Sequence, residues 1–268
     1  MIELDFSHLT VVVVGGTSGI NRGIAEGFAE QGARVAVASR SQDKVDDTVA
    51  ALKKLGAADS MGFSTDVRDY EAIEEGFKKV FDAYGHFDVL ISGAAGNFPA
   101  LATQMSPNAF KSVVDIDLLG SYHVLRASFD HLKKPGARVI NISAPQSTVP
   151  IPMQSHVSAA KAGVDMLTRS LSIEWGSSGV LVNAIVPGPI DNTEGMQRLA
   201  PTETMREAVR RSVPLQRLGA ASDIANACLF LASPLADYIS GVVMPVDGGW
   251  VQGGVAMLAN SPPPTKKK

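Results

Sequence analysis

Only one cysteine, Cys228, stands in the 268 residues, so no intrachain disulfide can form, and its apolar helical setting at 224–230 makes it a core residue rather than a nucleophile. An excess of one charge is missing too. With 24 basic against 27 acidic residues and a formal net charge of −3, the chain lacks the basic face that nucleic acid or an anionic membrane demands, and neither is expected as a partner. The five histidines, His8, His86, His123, His131 and His156, fall at no paired metal-ligand spacing, which argues against a zinc site. No apolar run is long enough for a bilayer, and Met1-Ile2-Glu3-Leu4-Asp5-Phe6 shows no basic segment leading into an apolar one. A cytosolic protein is expected, with one domain over 1–255 and a flexible tail over 256–268 that carries no Ser-Lys-Leu ending.

What is present is organised around residues 11–40. Val11 to Val14 are consecutive β-branched residues without polar alternation, the pattern of a parallel strand buried on both faces. Glycines follow at once, where the chain must turn from strand to helix, and Gly15 and Gly19 admit positive φ and close approach of a ligand. Behind the turn, Ile20, Ile24, Ala25, Phe28 and Ala29 recur at helical spacing, so the free N–H groups of the first helical turn face whatever the glycines admit. That suits a pyrophosphate, held by Gly15, Thr17, Ser18, Gly19 and Ile20. The next valine-rich segment ends in Ser39-Arg40. Many NAD-binding chains place a carboxylate there against the ribose. A hydroxyl and a guanidinium suit a 2′-phosphate instead, which favours NADP(H) over NAD(H). The alternative for Arg40 is a solvated cation opening the next helix.

Strand and helix patterns then alternate: helices at 43–55 and 69–84, strands at 60–64 and 88–91, and a small-residue loop at 93–98. A helical region over 107–134, interrupted or bent near Gly120, leads to a strand at 138–142, a long helix over 155–175 and a strand at 180–186. A polar helical insertion to Ser212, a helix at 222–232 and a last strand at 242–246 complete the pattern. Repeated βα units of this kind predict an α/β fold, a doubly wound parallel sheet with helices on both faces and its ligand at the strands' carboxyl ends.

The Gly-rich turn, Ala94-Ala95-Gly96, Asn141-Ile142-Ser143, Ser158-Ala159-Ala160-Lys161, Pro187-Gly188-Pro189-Ile190 and Asp247-Gly248-Gly249 stand in the order of a short-chain dehydrogenase/reductase. The chain resembles that family over nearly its whole length. More narrowly, Ala94-Ala95-Gly96-Asn97-Phe98, Asp115-Ile116-Asp117, Thr193-Glu194-Gly195 and Pro214-Leu215-Gln216-Arg217-Leu218-Gly219 resemble the 2,4-dienoyl-CoA reductases, especially the peroxisomal type. The resemblance implies a Rossmann-type sheet of about seven strands and an NADP(H) cofactor. Its contacts are expected to extend to Asp66, Val67, Ala94, Ala95, Gly96, Lys161, Pro187, Gly188 and Ile190. It also implies a small-molecule substrate, with acyl-CoA among the candidates, and a homotetramer built through 107–134, 155–175 and the last strand.

The family's usual chemistry needs a Tyr four residues before the Lys. Here the Lys is Lys161 and that position holds Val157, which donates no proton; the family's Ser falls on Ala144, one place after Ser143, and its relay Asn on Asp117. Ketone reduction needs an acid beside the nascent alkoxide. Hydride addition to a conjugated thioester spreads charge toward the thioester oxygen, where fixed donors suffice, and protonation falls on carbon. The resemblance therefore implies Asp117 and Lys161 as a pair that positions a water or relays a proton, with Lys161 also holding the nicotinamide ribose. An Asp beside a cationic Lys is expected to have a lowered pKa, so direct donation by Asp117 would require burial to outweigh the charge, and orienting water is favoured.

Other candidates carry two readings each. Ser143 reaches the substrate or is a strand-end hydroxyl bonded to backbone. His156 reaches the site from the helix start or is an exposed first-turn histidine. Asn97 and Phe98 line an acyl channel or simply pack. Arg198, Arg206, Arg210 and Arg211, in the family's mobile lid at 191–212, meet coenzyme A phosphates or form a solvated face. Asn21 replaces the family's third glycine and adds bulk near the cofactor, which puts its affinity in question. Three functions stay open: an NADPH-dependent enoyl or dienoyl thioester reductase; a ketone or 3-oxoacyl reductase, against which Val157 counts; and a non-catalytic NADP(H)-binding sensor, against which Lys161 and the nicotinamide-side loop count.

Overall fold

The valine-rich segments form seven strands: β1 (Thr10–Val14), β2 (Arg34–Ser39), β3 (Met61–Ser64), β4 (Val89–Ser92), β5 (Arg138–Ile142), β6 (Leu181–Pro187) and β7 (Val243–Val246). This computed structural model describes residues 5–57 and 59–254; the tail expected at 256–268 lies outside the described residues. The sheet runs β3-β2-β1-β4-β5-β6-β7 and every neighbouring pair is parallel. Winding starts at β1, proceeds to the β3 edge, then crosses back to β4. The reversal between β1 and β4 opens a crevice at their carboxyl ends, where an open α/β sheet takes its ligand.

Successive side chains of a strand point to opposite faces, and the valines of β1 show both faces buried. Val11 and Val13 join Ile24 and Phe28 of α1 (Gly19–Glu30), Val45 and Leu52 of α2 (Gln42–Lys54), and Ile224 and Cys228 of α9 (Ala221–Ala232). Val12 and Val14 join Phe77 of α3 (Tyr70–Tyr84), Val124 of α5 (Gly120–Ser128) and Leu171 of α6 (Ser155–Glu174). Cys228 is a core residue, and burial pushes its thiol pKa up. Helix starts follow local chemistry: Ser41, Asp69 and Ser106 each accept an N–H of the following turn, from Lys44, Ala72 and Ala109.

The helical region expected over 107–134 is divided. α4 (Pro107–Val114) passes into one π-helical turn, Asp115–Leu119, before α5, and a 3₁₀ turn over Phe129–His131 ends it. The Gly120 N–H reaches back five residues to the Asp115 carbonyl, which is the break expected near Gly120. Asp117 is the buried residue of that turn. The polar insertion forms α7 (Glu194–Leu199) and α8 (Glu203–Ser212). Among the described residues no helix is long and apolar enough to cross a membrane.

Phe28 is fully buried and meets Phe6 edge-on with ring centroids 5.7 Å apart. Phe28→Ala is expected to cost about 3–5 kcal/mol, read as a lower urea midpoint with an unchanged slope.

Candidate active site

At the crest, the turn after β1 and the loop after β4 touch. Gly15 has φ +80°, and a Cβ there would stand 2.9 Å from the Ala94 nitrogen, so only glycine allows the two arms to close. Ser18 caps α1 without a side-chain bond, and no carboxylate stands in that helix's first turn. Its first amides are left open to an anion. Thr193, ahead of α7, lies over Gly19 at 3.8 Å from where a Cβ would sit.

Asn21 does not crowd this cradle. Its Nδ2 donates to the Gly93 carbonyl at 2.7 Å, and a Cβ on Gly93 would stand 2.4 Å from that amide, so the side chain occupies space Gly93 leaves. The added bulk lies against Gly93 and braces the β4 loop.

Along the rim, Ser39 is half-buried and Arg40 exposed at the end of β2. Asp66 is held by Arg68 at 2.6 Å; that hydrogen bond leads the lowering of its pKa to about 2, with the Arg40 charge a lesser contributor. Val67 is buried and its carbonyl meets His123 Nδ1 at 2.9 Å. At the end of β6, Pro187 and Gly188 lead to Ile190, which is buried and bridges to Gly219. Open amides on a glycine crest, a cationic rim and the switch point together fit a nicotinamide dinucleotide.

Below the crest lies a buried polar floor. Lys161 Nζ donates to the Ile142 carbonyl at 3.0 Å and stands 3.7 Å from Asp117 Oδ2, the two side chains being 5% and 1% exposed. Asp117 Oδ1 accepts from the Gly96 N–H at 2.7 Å, while among the described residues its Oδ2 finds no hydrogen-bond partner. Burial raises the Asp117 pKa and outweighs the Lys161 charge and the Gly96 bond, which both lower it. The expectation of a lowered pKa is corrected: at this depth desolvation prevails. A carboxyl whose folded pKa is raised favours the folded state while protonated. That contribution is complete below the unfolded pKa and is lost as pH rises through the folded one.

The Ser143 hydroxyl is not bonded to backbone as one reading expected: it donates to Asp165 Oδ1 at 2.5 Å. Asp165 is buried four residues after Lys161 on α6, and Thr168, bonded by Asn141 at 2.9 Å, continues the stripe. The i, i+4, i+7 spacing announces Asp165 once α6 is recognised, though the sequence reading passed over it.

His156 is fully buried, not exposed, its ring centroid 4.5 Å from that of Phe98. Gln154 donates to the Met153 and Phe98 carbonyls at 3.2 and 3.4 Å, and Gln146 donates to Gln154 at 3.4 Å. Neither glutamine was anticipated, since a non-periodic turn offers no pattern. The lid arginines are paired locally: Arg198 with Glu194, Arg206 with Glu203, and Arg210 and Arg211 with Glu207. This favours the solvated-face reading. Arg198 also donates to the Asn97 carbonyl at 2.9 Å, fastening the lid to the β4 loop. A cavity of about 480 Å³ opens between Gly19, Thr193, Arg210 and Arg217. Among the described residues no three His, Cys, Asp or Glu side chains converge as a metal site.

A family profile described as enoyl-(acyl carrier protein) reductase matches residues 14–251. The chain is a short-chain dehydrogenase/reductase. It is 40% identical over 247 residues to the peroxisomal 2,4-dienoyl-CoA reductase SPS19 [(3E)-enoyl-CoA-producing] of Saccharomyces cerevisiae, covering 91% of this chain and 84% of that one. With the peroxisomal 2,4-dienoyl-CoA reductase [(3E)-enoyl-CoA-producing] of Rattus norvegicus it shares 42% over 241 residues, 88% of this chain and 82% of the relative. A crystal structure of a short chain dehydrogenase from Bacillus anthracis superposes with a TM-score of 0.82 at 33% identity, covering 91% of this chain and 97% of that one. The enzyme is therefore an oxidoreductase of a family that uses a nicotinamide cofactor, and its sequence lies close to dienoyl-CoA reductases.

Gly15→Ala is expected to raise the nucleotide Kd at least about tenfold, equivalent to roughly 1.4 kcal/mol. Titration by quenching of nucleotide fluorescence measures this, and an unchanged Kd would contradict the crest site.

Proposed function

We propose that the chain is an NADPH-dependent reductase of conjugated acyl thioesters, of the 2,4-dienoyl-CoA type. The observation that carries this is the buried pair of Asp117 and Lys161 beside Val157, an apolar residue in the place of the family's phenol. When bound, the reduced nicotinamide supplies a hydride.

The (3E)-enoyl product in the relatives' names supports one course for the remaining step. A 2,4-dienoyl thioester becomes a 3-enoyl thioester by gaining one hydrogen at Cδ and one at Cα. Hydride at Cδ drives the electron pair through the diene onto the thioester oxygen, and a proton returns to Cα. No acid is needed at oxygen, so Val157 is tolerated there. Asp117, kept able to hold a proton by burial, delivers it to Cα through a water, and Lys161 holds the nicotinamide ribose and the negative side of Asp117 in register. Ser39 and Arg40 support NADPH over NADH.

The assembly proposed is a homotetramer, supported by exposed Phe110, Leu119 and Tyr122 on α4, the π turn and α5, and by Met166 and Ile173 on α6. The compartment proposed is the cytosol, unlike the peroxisomal setting in the relatives' names.

The test follows NADPH absorbance with 2,4-dienoyl-, 2-enoyl- and 3-oxoacyl-thioesters. Turnover of the dienoyl compound is expected; turnover of the 3-oxo compound alone overturns the proposal, and nucleotide binding without turnover across a broad carbonyl panel supports a sensor instead. Lys161→Ala is expected to lower kcat/KM at least about 100-fold, whereas Cys228→Ser leaves it unchanged. Arg40→Asp is expected to raise the KM for NADPH at least about tenfold with little change for NADH, the loss of a phosphate contact.

A further inference from the structure

The turn before α6 holds a group that the mechanism above leaves idle. His156 is fully shielded, yet among the described residues neither ring nitrogen completes a hydrogen bond of good geometry, the Phe98 carbonyl being near enough only to act on its pKa. A buried imidazole without a partner is costly, and native cores seldom keep one without a use. Here the surroundings fix it in place. The Phe98 ring lies against it at 4.5 Å and 42°. Gln154, itself 1% exposed, donates to the carbonyl of Phe98, tying the turn to the loop that carries that ring. Met153, a non-glycine residue at φ +65°, is held in the left-handed region by the Ala100 N–H, which donates to its carbonyl at 3.0 Å, and by the Gln154 amide. Strain of this kind persists only where the surroundings over-determine it, and it gathers at binding sites.

His156 also sits next to Val157, on the helical turn where the family's phenol would stand. Phe98, which packs against the ring, lies two positions after Gly96, whose N–H holds Asp117, so one loop segment touches both the imidazole and the carboxyl. Burial lowers the imidazole pKa against the opposing Phe98 carbonyl and Asp117 charge, so the ring is neutral near pH 7 and carries one N–H donor. Shielding does not set it apart from the site, because Asp117 and Lys161 are themselves only 1% and 4% exposed.

We propose that His156 is a catalytic residue whose ring N–H donates to the carbonyl oxygen of the bound thioester, supplying the donor that Val157 cannot. This rests on the thioester-reductase reading. The bond strengthens as the hydride's electron pair moves onto that oxygen and involves no transfer of the imidazole proton. Asp117 remains the source of the proton for Cα.

The experiment compares wild type, His156→Phe, which keeps an aromatic ring against Phe98, and His156→Gln, which keeps a donor. Three readouts are taken: kcat with a 2,4-dienoyl thioester and NADPH, nucleotide Kd by fluorescence, and the absorbance red shift of the dienoyl thioester bound with NADP⁺, which reports carbonyl polarisation. His156→Phe is expected to lower kcat about 100-fold and abolish the red shift with nucleotide Kd unchanged, and His156→Gln to restore at least about a tenth of kcat and part of the shift. A His156→Phe enzyme that keeps kcat within about threefold, together with the red shift, overturns the assignment while leaving the thioester reading intact. If His156→Phe does not fold, His156→Gln decides: a retained shift supports the assignment, and a lost shift with normal nucleotide Kd overturns it. A wild-type enzyme inactive on the dienoyl thioester removes the thioester reading and this assignment together.

Discussion

The site depends on a carboxyl group kept out of water. Asp117 enters the floor because a π turn rather than an α turn presents it inward, and the Gly96 N–H and Lys161 ammonium keep it from being an isolated buried charge. Desolvation still prevails over both, so the group resists ionisation. Its ability to hold a proton comes from depth and its orientation from the Gly96 bond, which together are what a proton shuttle needs. Breaking such a pair by removing one partner leaves the other buried without compensation, so the pair constrains stability as well as chemistry.

The crest imposes a second constraint that meets the first at one loop. Gly15 lets the β1 turn press against Ala94, Asn21 ties α1 to the Gly93 carbonyl, and three residues further on the Gly96 N–H grips Asp117. The segment 93–96 is thus clamped from the nucleotide side and from the floor. A shift at either end would be transmitted through it, because closely packed backbone has little room to absorb displacement.

The fold was legible because its signals are local and repeated: valine runs for strands buried on both faces, helical spacing behind each, and glycines at the switch point. Lys161 and the missing phenol at Val157 were legible because the chain resembles a family whose motif sets a Tyr four residues before its Lys. What escaped depends on distance through space. The direction of the Asp117 pKa turns on how much water the folded chain excludes, which neither its neighbours in sequence nor the charge of Lys161 reveals. Asn21 looked obstructive because the space beside Gly93, 72 positions away, is visible only once β1 and β4 lie side by side. His156 stood between a site-reaching and an exposed reading because a first-turn position has no fixed face until Phe98 arrives. Asp165 was available from the period of α6 and was missed for want of a reason to look.

The apolar residue at the phenol position is consistent with this floor in a way that a damaged ketone reductase would not be. In carbonyl reduction the charge develops on one oxygen, and an acid must stand beside that atom at the moment of transfer. Retaining Lys161 would then serve a donor that no longer exists, and burying Asp117 beside it would add cost without chemistry. In reduction through a conjugated thioester the charge is delocalised before a proton arrives, so the donor at oxygen and the source of the proton are separate groups with separate requirements. The first needs a fixed N–H that stays where it is. The second needs a carboxyl whose proton is held until carbon calls for it. His156 and Asp117, one neutral through burial and the other reluctant to ionise through burial, satisfy those two requirements from one low-dielectric floor.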